Sequence, residues 1–183
     1  MHNKIKWIGC FSFTGQELQE LCKRIGRWPD AVITNAKDVD ESAWNTHTTL
    51  MRILPTEKIN SATYRALFDQ IIGVDDTAIV TLHGWMKIVP ADICDEYTIY
   101  NGHPGDIVRI PALKGANPQE KAFKMGLNFS GAVIHRCTKE LDGGPIVAYD
   151  KCCISDCKSV DAVSARLKKV SINLWQKTLN HLL

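Results

Sequence analysis

The sequence lacks any long uninterrupted run of apolar residues. No segment of the 183 residues approaches the ~18 consecutive apolar residues that a membrane-spanning helix needs. The first residues, MHNKIKWIGCFSF, carry lysines and then an apolar run that is too short and too broken by polar residues for a secretory signal. We therefore expect no membrane partner and a cytoplasmic location.

The sequence also lacks a charge imbalance. The 22 Lys and Arg residues nearly balance the 20 Asp and Glu residues, the formal net charge is +2, and the charges are interspersed. A nucleic-acid-binding protein usually shows a basic block or stripe, and none is present. Nucleic acid is therefore not expected as a partner, whereas a small phosphorylated ligand stays open because a local site need not change the net charge.

An even set of cysteines at regular spacing is missing as well. The seven cysteines are scattered, which is typical of a reduced cytosolic chain rather than of a disulfide framework. Cys152, Cys153 and Cys157 cluster, but no second pair lies at the spacing of a zinc site. Both a metal site and simply packed thiols are open interpretations, and we expect no metal.

The chain has no repeat, low-complexity tract or linker, so its length indicates one domain over residues 1–183. Strand-like and helix-like segments alternate. This predicts an α/β, Rossmann-like fold, with a mostly parallel sheet flanked by helices and an antiparallel strand pair near the C-terminus. The expected strands are KIKWIGCF, DAVITNA (Ala31 to Thr34), TAIVTLHGW, TIYN, GAVIHRCT and GPIVAYDKCCI.

Capping residues mark the expected helices. Thr14 is expected to cap the first helix, a second helix runs from a Ser61 cap to Gly73, and Asn117 with Pro118 begins a later one. PADICDEY is typical of a short helix, and the segment from residue 159 to 183 is typical of a long closing helix. Residues 36 to 58 show no clear pattern.

The segment TIYNGHPGDI, residues 98 to 107, ends a β-prone run in polar residues. Asn101 and His103 are two positions apart, so they point to the same side if the strand continues that far. Gly102 between them would permit a close approach by another molecule, and Pro104 would fix the exit of the chain. A plain Asn/His turn is the alternative.

A second polar segment, TKELDGGPI, follows between the two late strands. Asp142 before Gly143 is a common hairpin signal, so a turn is the simple interpretation. An amide, an imidazole and a carboxylate at strand ends of one sheet, however, suit acyl or formyl transfer. The amide and a charged imidazole would donate to an oxyanion, and the carboxylate would favour that charge and assist proton transfer.

These motifs resemble the folate-dependent formyltransferases, most strongly those that act on glycinamide ribonucleotide. The shared pattern is Asn-x-His-Pro at a strand end, here from Asn101 to Pro104, and a later Asp-x-Gly at Asp142. His135 falls where the family often has a histidine. The resemblance implies 10-formyltetrahydrofolate as co-substrate and no metal, an amine that attacks the formyl carbon, and catalysis by Asn101, His103 and Asp142, with Asp142 holding His103 charged.

The resemblance also implies where the folate would bind. The segment LHGWMKIVP and the loop around residues 138 to 142 would line the pterin pocket. Ordinary core packing is the alternative for the apolar members, Trp85 suits either, and His83 is expected to be a structural histidine. The expected folate-binding residues are Leu82, Met86, Lys87, Ile88, Val89, Thr138, Glu140 and Leu141.

The acceptor side departs from the family pattern. Gly15, Gln16 and Glu17 open a helix whose backbone N–H groups can bind the substrate, but Glu17 adds negative charge where a phosphate would approach. Bulky Phe11 and Phe13 replace small residues of this turn. In the closing helix, Lys168 and Ser171 stand where the purine enzymes carry Gln and Glu that contact the ribonucleotide, so the acceptor is the least defined part of the site.

Four functions follow as hypotheses. The first is formyl transfer to phosphoribosylglycinamide in purine biosynthesis, and the second is formyl transfer to another small amine, such as an amino sugar nucleotide or a modified nucleotide. The third is hydrolysis of formyltetrahydrofolate, which ranks lower because such hydrolases usually carry an additional N-terminal domain. The fourth is folate binding without catalysis, and we expect a monomer or homodimer in each case.

Overall fold

Seven strands form one mixed sheet in the computed structural model, which describes residues 5–53, 58–73 and 77–183. The spatial order is β3-β2-β1-β4-β5-β6-β7, and β6 alone runs antiparallel, pairing with both β5 and β7. The predicted mostly parallel α/β sheet with late antiparallel pairing is therefore confirmed. The strands are β1 Lys6–Phe11, β2 Ala31–Thr34, β3 Thr49–Arg52, β4 Ala78–His83, β5 Ile99–His103, β6 Phe129–Arg136 and β7 Ile146–Cys153.

Helices cover both faces of this sheet. The short α3 and α4 connect strands, and two single turns of 3₁₀ helix lie at Glu41–Ala43 and Pro111–Leu113. Within the described part of the chain, no helix is both long enough and apolar enough to cross a membrane. The α-helices are α1 Gln16–Ile25, α2 Ser61–Asp69, α3 Ala91–Glu96, α4 Pro118–Lys124 and α5 Val160–Leu182.

The apolar run of β1 supplies both faces of the core, because successive residues of a strand point to opposite sides. Trp7 packs with α1 and α5 on one face, in a cluster that includes Leu18 and Trp175. Ile8 packs on the other face with Phe68 of α2 and with residues of α3. Because both faces are covered, the parallel strands are buried and their carboxyl ends form a single edge where a site can lie.

The structure corrects three local expectations. Residues 36 to 58 contain the edge strand β3, which pairs parallel with β2. Asn60, and not Ser61, caps α2 by accepting a hydrogen bond from the Thr63 N–H at 2.9 Å, and the helix ends at Asp69 rather than Gly73. Gly15 occupies the cap position of α1 in a left-handed conformation (φ 70°), so Thr14 is not the cap.

The clustered cysteines do not form a cation site with the side chains that the structure describes. No group of three or more His, Cys, Asp or Glu residues in those ranges has the arrangement to hold a metal ion. Cys152 and Cys157 are half-buried against the core under α5, whereas the thiol of Cys153 is exposed and lies 3.1 Å from the hydroxyl of Ser155.

Candidate active site

β5 continues through Gly102 to His103, so Asn101 and His103 share one face of the sheet. Gly102 faces the opposite side, where the indole of Trp175 from α5 packs directly against it. A Cβ atom at Gly102 would lie 2.4 Å from Trp175 Nε1, closer than two such atoms approach. The expected close approach at this glycine is therefore real, but the group that approaches is the protein's own tryptophan.

Asp142 joins Asn101 and His103 from the turn between β6 and β7, where it adopts a positive φ of 49°. Its Oδ2 lies 3.3 Å from His103 Nδ1 and accepts a hydrogen bond from the Gly115 N–H at 2.8 Å. Its Oδ1 accepts from Asn101 Nδ2 at 3.4 Å. Asp142 thus contacts both of the other residues expected to be catalytic, although it lies 41 positions from Asn101 in the sequence.

His135 is the fourth polar side chain of this cluster. It lies on β6 directly across from Asn101 in the antiparallel register. Its Nε2 is 3.1 Å from Asn101 Nδ2 and 3.4 Å from Asp142 Oδ1, while its Nδ1 is 3.1 Å from the Arg136 carbonyl oxygen. His135 therefore helps to fix the orientations of the amide and the carboxylate.

His103 is buried between two oxygen acceptors, because its Nδ1 faces Asp142 and its Nε2 lies 2.9 Å from the Leu113 carbonyl oxygen. Burial lowers the pKa of His103, and this effect outweighs Asp142 and the Leu113 carbonyl, which both raise it. The imidazole is therefore neutral at neutral pH, and the expectation that Asp142 holds it charged is wrong for the protein without ligands.

Asp142 stays ionised in the same environment. Burial raises the pKa of its carboxyl group, but the hydrogen bond with His135, the proximity of His103 and the Gly115 N–H together lower it below its ordinary value. A carboxylate beside a neutral imidazole stabilises the positive charge that the ring gains when it is protonated.

The residues expected to bind folate divide into two groups. Met86, Ile88 and Leu141 are strongly exposed, at 59, 78 and 67%, respectively. Leu82 lies on β4 and is instead buried in the core. Trp85 is buried as well, and its Nε1 donates to the Tyr64 hydroxyl at 2.9 Å. The remaining expected positions are neighbours of these residues in the sequence. Lys87, Val89 and Thr138 are half-buried, and Glu140 is exposed.

A cavity of about 190 Å³ lies between the start of α1 and the end of β4. It brings together Gly15, Gln16 and Glu17, as expected for the substrate-binding turn, and Lys168 of α5. Its volume is below that of complete ligand pockets, so it suits one part of a substrate. The other lining residues are Phe13, Thr14, Leu18, His83 and Gly84.

The carboxylate of Glu17 is engaged by neighbouring residues in this cavity. Its Oε1 lies 3.3 Å from His83 Nδ1 and accepts a hydrogen bond from the Ser171 hydroxyl, also at 3.3 Å. One carboxylate oxygen of Glu17 is therefore held by two neighbouring side chains, while the side chain still lines the cavity. Sequence reasoning assigned His83 a structural role only, and nothing local in the sequence indicates that it meets a glutamate 66 positions away.

Comparison with known proteins agrees with this geometry. A family model described as "Formyl transferase" matches residues 31–179. The chain is 31% identical over 139 residues to formyltetrahydrofolate deformylase 1, mitochondrial, of Arabidopsis thaliana, covering 69% of this chain and 42% of that protein. It is 22% identical over 131 residues to the phosphoribosylglycinamide formyltransferase of Bacillus subtilis, covering 70% of this chain and 66% of that protein.

The fold has close counterparts among solved structures. The phosphoribosylglycinamide formyltransferase of Streptococcus pneumoniae superposes with a TM-score of 0.81 at 21% identity, and the match covers 98% of this chain and 99% of that one. The fold expected from the resemblance to folate-dependent formyltransferases is thus confirmed. Since the family model covers most of the sequence, the chain belongs to the formyl transferase family.

Proposed function

We propose that this chain acts as a single catalytic domain that transfers a formyl group from 10-formyltetrahydrofolate to a primary amine. The observation that carries the proposal is the contact of Asn101, His103 and Asp142 at the carboxyl edge of the sheet. A protein that only binds folate has no need of this set of amide, imidazole and carboxylate. Membership of the formyl transferase family supports the same reaction.

In the proposed reaction, the amine nitrogen attacks the formyl carbon and the formyl oxygen becomes an oxyanion. The Asn101 amide donates a hydrogen bond to that oxygen. The ionised carboxylate of Asp142 takes the proton that the amine loses, directly or through a water molecule. His103, whose two ring nitrogens face Asp142 and the Leu113 carbonyl oxygen, holds that carboxylate in place. The bond from the formyl carbon to N10 of the folate then breaks, N10 takes the proton, and tetrahydrofolate leaves.

The expected contributions are large enough to test individually. One donor to an oxyanion is worth roughly 3–4 kcal/mol in the transition state, and one positioned proton-transfer group contributes about 10²–10⁴-fold. Loss of His103, which positions the Asp142 carboxylate, should therefore nearly abolish turnover without unfolding the chain.

The test is release of tetrahydrofolate by the purified chain from 10-formyltetrahydrofolate. The variants are His103→Ala and Asp142→Asn, and the matched control is His47→Ala, which removes an exposed histidine outside this cluster. We expect the first two to lose at least about 100-fold in kcat/KM and the control to keep wild-type activity. An unchanged rate in His103→Ala would falsify the proposal.

The same assay identifies the acceptor. Phosphoribosylglycinamide is the first amine to try, because the relative in Bacillus subtilis is named for it; amino sugar nucleotides and modified nucleotides follow as alternatives. Hydrolysis is the second candidate function, since the relative in Arabidopsis thaliana is named as a deformylase. Release of tetrahydrofolate that needs an amine supports transfer, whereas equal release without any amine supports hydrolysis.

A further inference from the structure

Backbone groups of one short segment, residues 113–115, hold both His103 and Asp142. The Leu113 carbonyl oxygen lies 2.9 Å from His103 Nε2. Two residues later, the Gly115 N–H donates a hydrogen bond to Asp142 Oδ2 at 2.8 Å. Because His103 Nδ1 and Asp142 Oδ2 are also 3.3 Å apart, a shift of this segment would displace the imidazole and the carboxylate together.

The side chain of Lys121 holds the middle of this segment. Lys121 is a half-buried residue of α4, and its Nζ donates a hydrogen bond to the Lys114 carbonyl oxygen at 2.7 Å. That oxygen belongs to the same peptide group as the Gly115 N–H, and in a trans peptide the two point in opposite directions. One peptide dipole therefore lies between an ammonium group and the Asp142 carboxylate, in the orientation that favours both charges.

The remaining charged side chains of α4 and of the segment form ion pairs of their own. Glu120 and Lys124 of α4 pair with each other at 2.6 Å. The Lys114 ammonium pairs with Glu140 of the loop after β6 at 3.3 Å. The groups that face Asp142 or His103 are Lys121, His135, Cys137 and the backbone of residues 113–115.

We propose that Lys121 is a positioning residue for formyl transfer: it fixes the Lys114–Gly115 peptide group, and this peptide group holds the Asp142 carboxylate in the charged form and the orientation that the reaction uses. Lys121 thus acts through the backbone and is neither a base nor a donor to the substrate. This inference rests on the proposed function, because it takes Asp142 as the group that accepts the proton of the amine.

The direction of two pKa changes separates this role from simple packing. The hydrogen bond from the Gly115 N–H lowers the pKa of Asp142, and the charge of Lys121 lowers the pKa of His103. Without the cation the peptide group is held less firmly, so the carboxylate should take a proton at higher pH, and so should the imidazole. A lysine that only filled space on α4 would leave both titrations unchanged.

The experiment follows the amide proton of Gly115 by NMR in the full chain, from neutral pH down to about pH 3. The chemical shift of this proton reports the ionisation of the carboxylate that it binds. We expect Lys121→Met and Lys121→Gln to raise the midpoint by at least about 0.5 pH unit. Two neutral variants are used so that the test does not depend on one of them folding.

The same variants are compared in the formyl-transfer assay. Both neutral variants should lose about 10-fold or more in kcat, while KM for 10-formyltetrahydrofolate changes less than about twofold. Lys121→Arg keeps a cation that can bind the Lys114 carbonyl and should restore most of the wild-type midpoint and rate. Lys124→Met is the matched control, because Lys124 lies on the same helix with its side chain 71% exposed, and it should change neither quantity.

A wild-type midpoint for Gly115 in a folded neutral variant would overturn the inference, as would an equal shift in Lys124→Met, since the effect would then be one of surface charge. The NMR titration needs no turnover. If the midpoint shifts as expected but the wild type transfers no formyl group, the proposed reaction fails and the support of Asp142 by Lys121 stands. If the wild type transfers the formyl group and the midpoint does not move, the inference alone fails.

Discussion

At the scale of single residues, His103 is the side chain whose environment says most about the chemistry. A neutral imidazole has one N–H, but both ring nitrogens of His103 face oxygen acceptors. Only one of these contacts can be a hydrogen bond until the ring takes a second proton, and protonation then satisfies both. Burial opposes the charge and the two oxygens favour it, and burial has the larger effect on the pKa of the ring.

The lowered pKa of His103 predicts acid sensitivity of the fold. The folded pKa lies below the value of about 6.5 in the unfolded chain, so the unfolded chain binds more protons as the pH falls through this window. The free energy of unfolding should therefore decrease from about pH 6.5 downward. The groups that face the ring are Asp142, His135, Lys121 and the Leu113 carbonyl. The measurement is urea unfolding between pH 5 and 8, in steps of about half a unit.

The matched comparison is His103→Gln, which cannot titrate in this range. The difference between the two stability curves should be flat above about pH 7 and should slope below it. Parallel curves over the whole range would contradict the depressed pKa.

Asn101, His103 and Asp142 could be predicted from sequence as candidate site residues, whereas the cluster of Glu17, His83 and Ser171 could not. Asn101 and His103 lie at one strand end and Asp142 in a glycine-rich turn, so local patterns point to each of them. Glu17, by contrast, lies in an ordinary amphipathic helix and His83 at the end of a buried strand. Their contact arises only from the packing of α1 against the sheet, which no local pattern encodes.

At the scale of elements, α5 packs against the face of β5 that is opposite to Asn101 and His103. Trp175 is fully buried on α5, and its Nε1 has no hydrogen-bond partner among the described residues. Its ring also packs on His83, with the centroids 4.6 Å apart. One tryptophan therefore supports the catalytic strand at Gly102 and the cavity at His83.

This contact predicts a specific coupling between Gly102 and Trp175. Gly102→Ala should lower the free energy of unfolding by about 1–3 kcal/mol, because its Cβ would lie 2.4 Å from Trp175 Nε1. In a Trp175→Phe background the alanine should cost less, since the indole nitrogen is gone. Urea unfolding of the wild type, both single variants and the double variant measures the coupling energy. Strictly additive effects would show that the indole does not limit position 102.

The secondary structure was predictable where apolar runs are long and was not where they are short. β1 and β4 are continuous apolar runs bounded by polar residues. β3 is an edge strand of four residues with exposed ends and half-buried centre, so its sequence TLMR carries no alternating pattern. At α2, Asn60 and Ser61 are both good caps, and only the observed bond from Asn60 to the Thr63 N–H distinguishes them.

At the scale of the whole molecule, the sheet separates two groups of polar residues at one edge. Asn101, His103 and Asp142 lie on one face, while Glu17 and Lys168 line the cavity on the face covered by α1 and α5. Between them, β5 carries no side chain at Gly102, so the indole of Trp175 packs directly against its backbone. Gly84, in a left-handed conformation (φ 64°), lines the cavity directly after β4.

The exposed apolar side chains on the proposed folate side predict a variant that loses affinity without losing stability. Met86 is 59% exposed in the protein without ligands, so Met86→Ala removes little buried surface and should change the free energy of unfolding by no more than about 0.5 kcal/mol. If the pterin covers this side chain, the same change should weaken binding of tetrahydrofolate by about 1–2 kcal/mol.

Met125→Ala is the matched control, because Met125 is 50% exposed and lies at the end of α4. Calorimetric titration of tetrahydrofolate and thermal unfolding measure the two quantities on the same samples. Equal affinity of the two variants for tetrahydrofolate would place the folate away from the segment that follows β4.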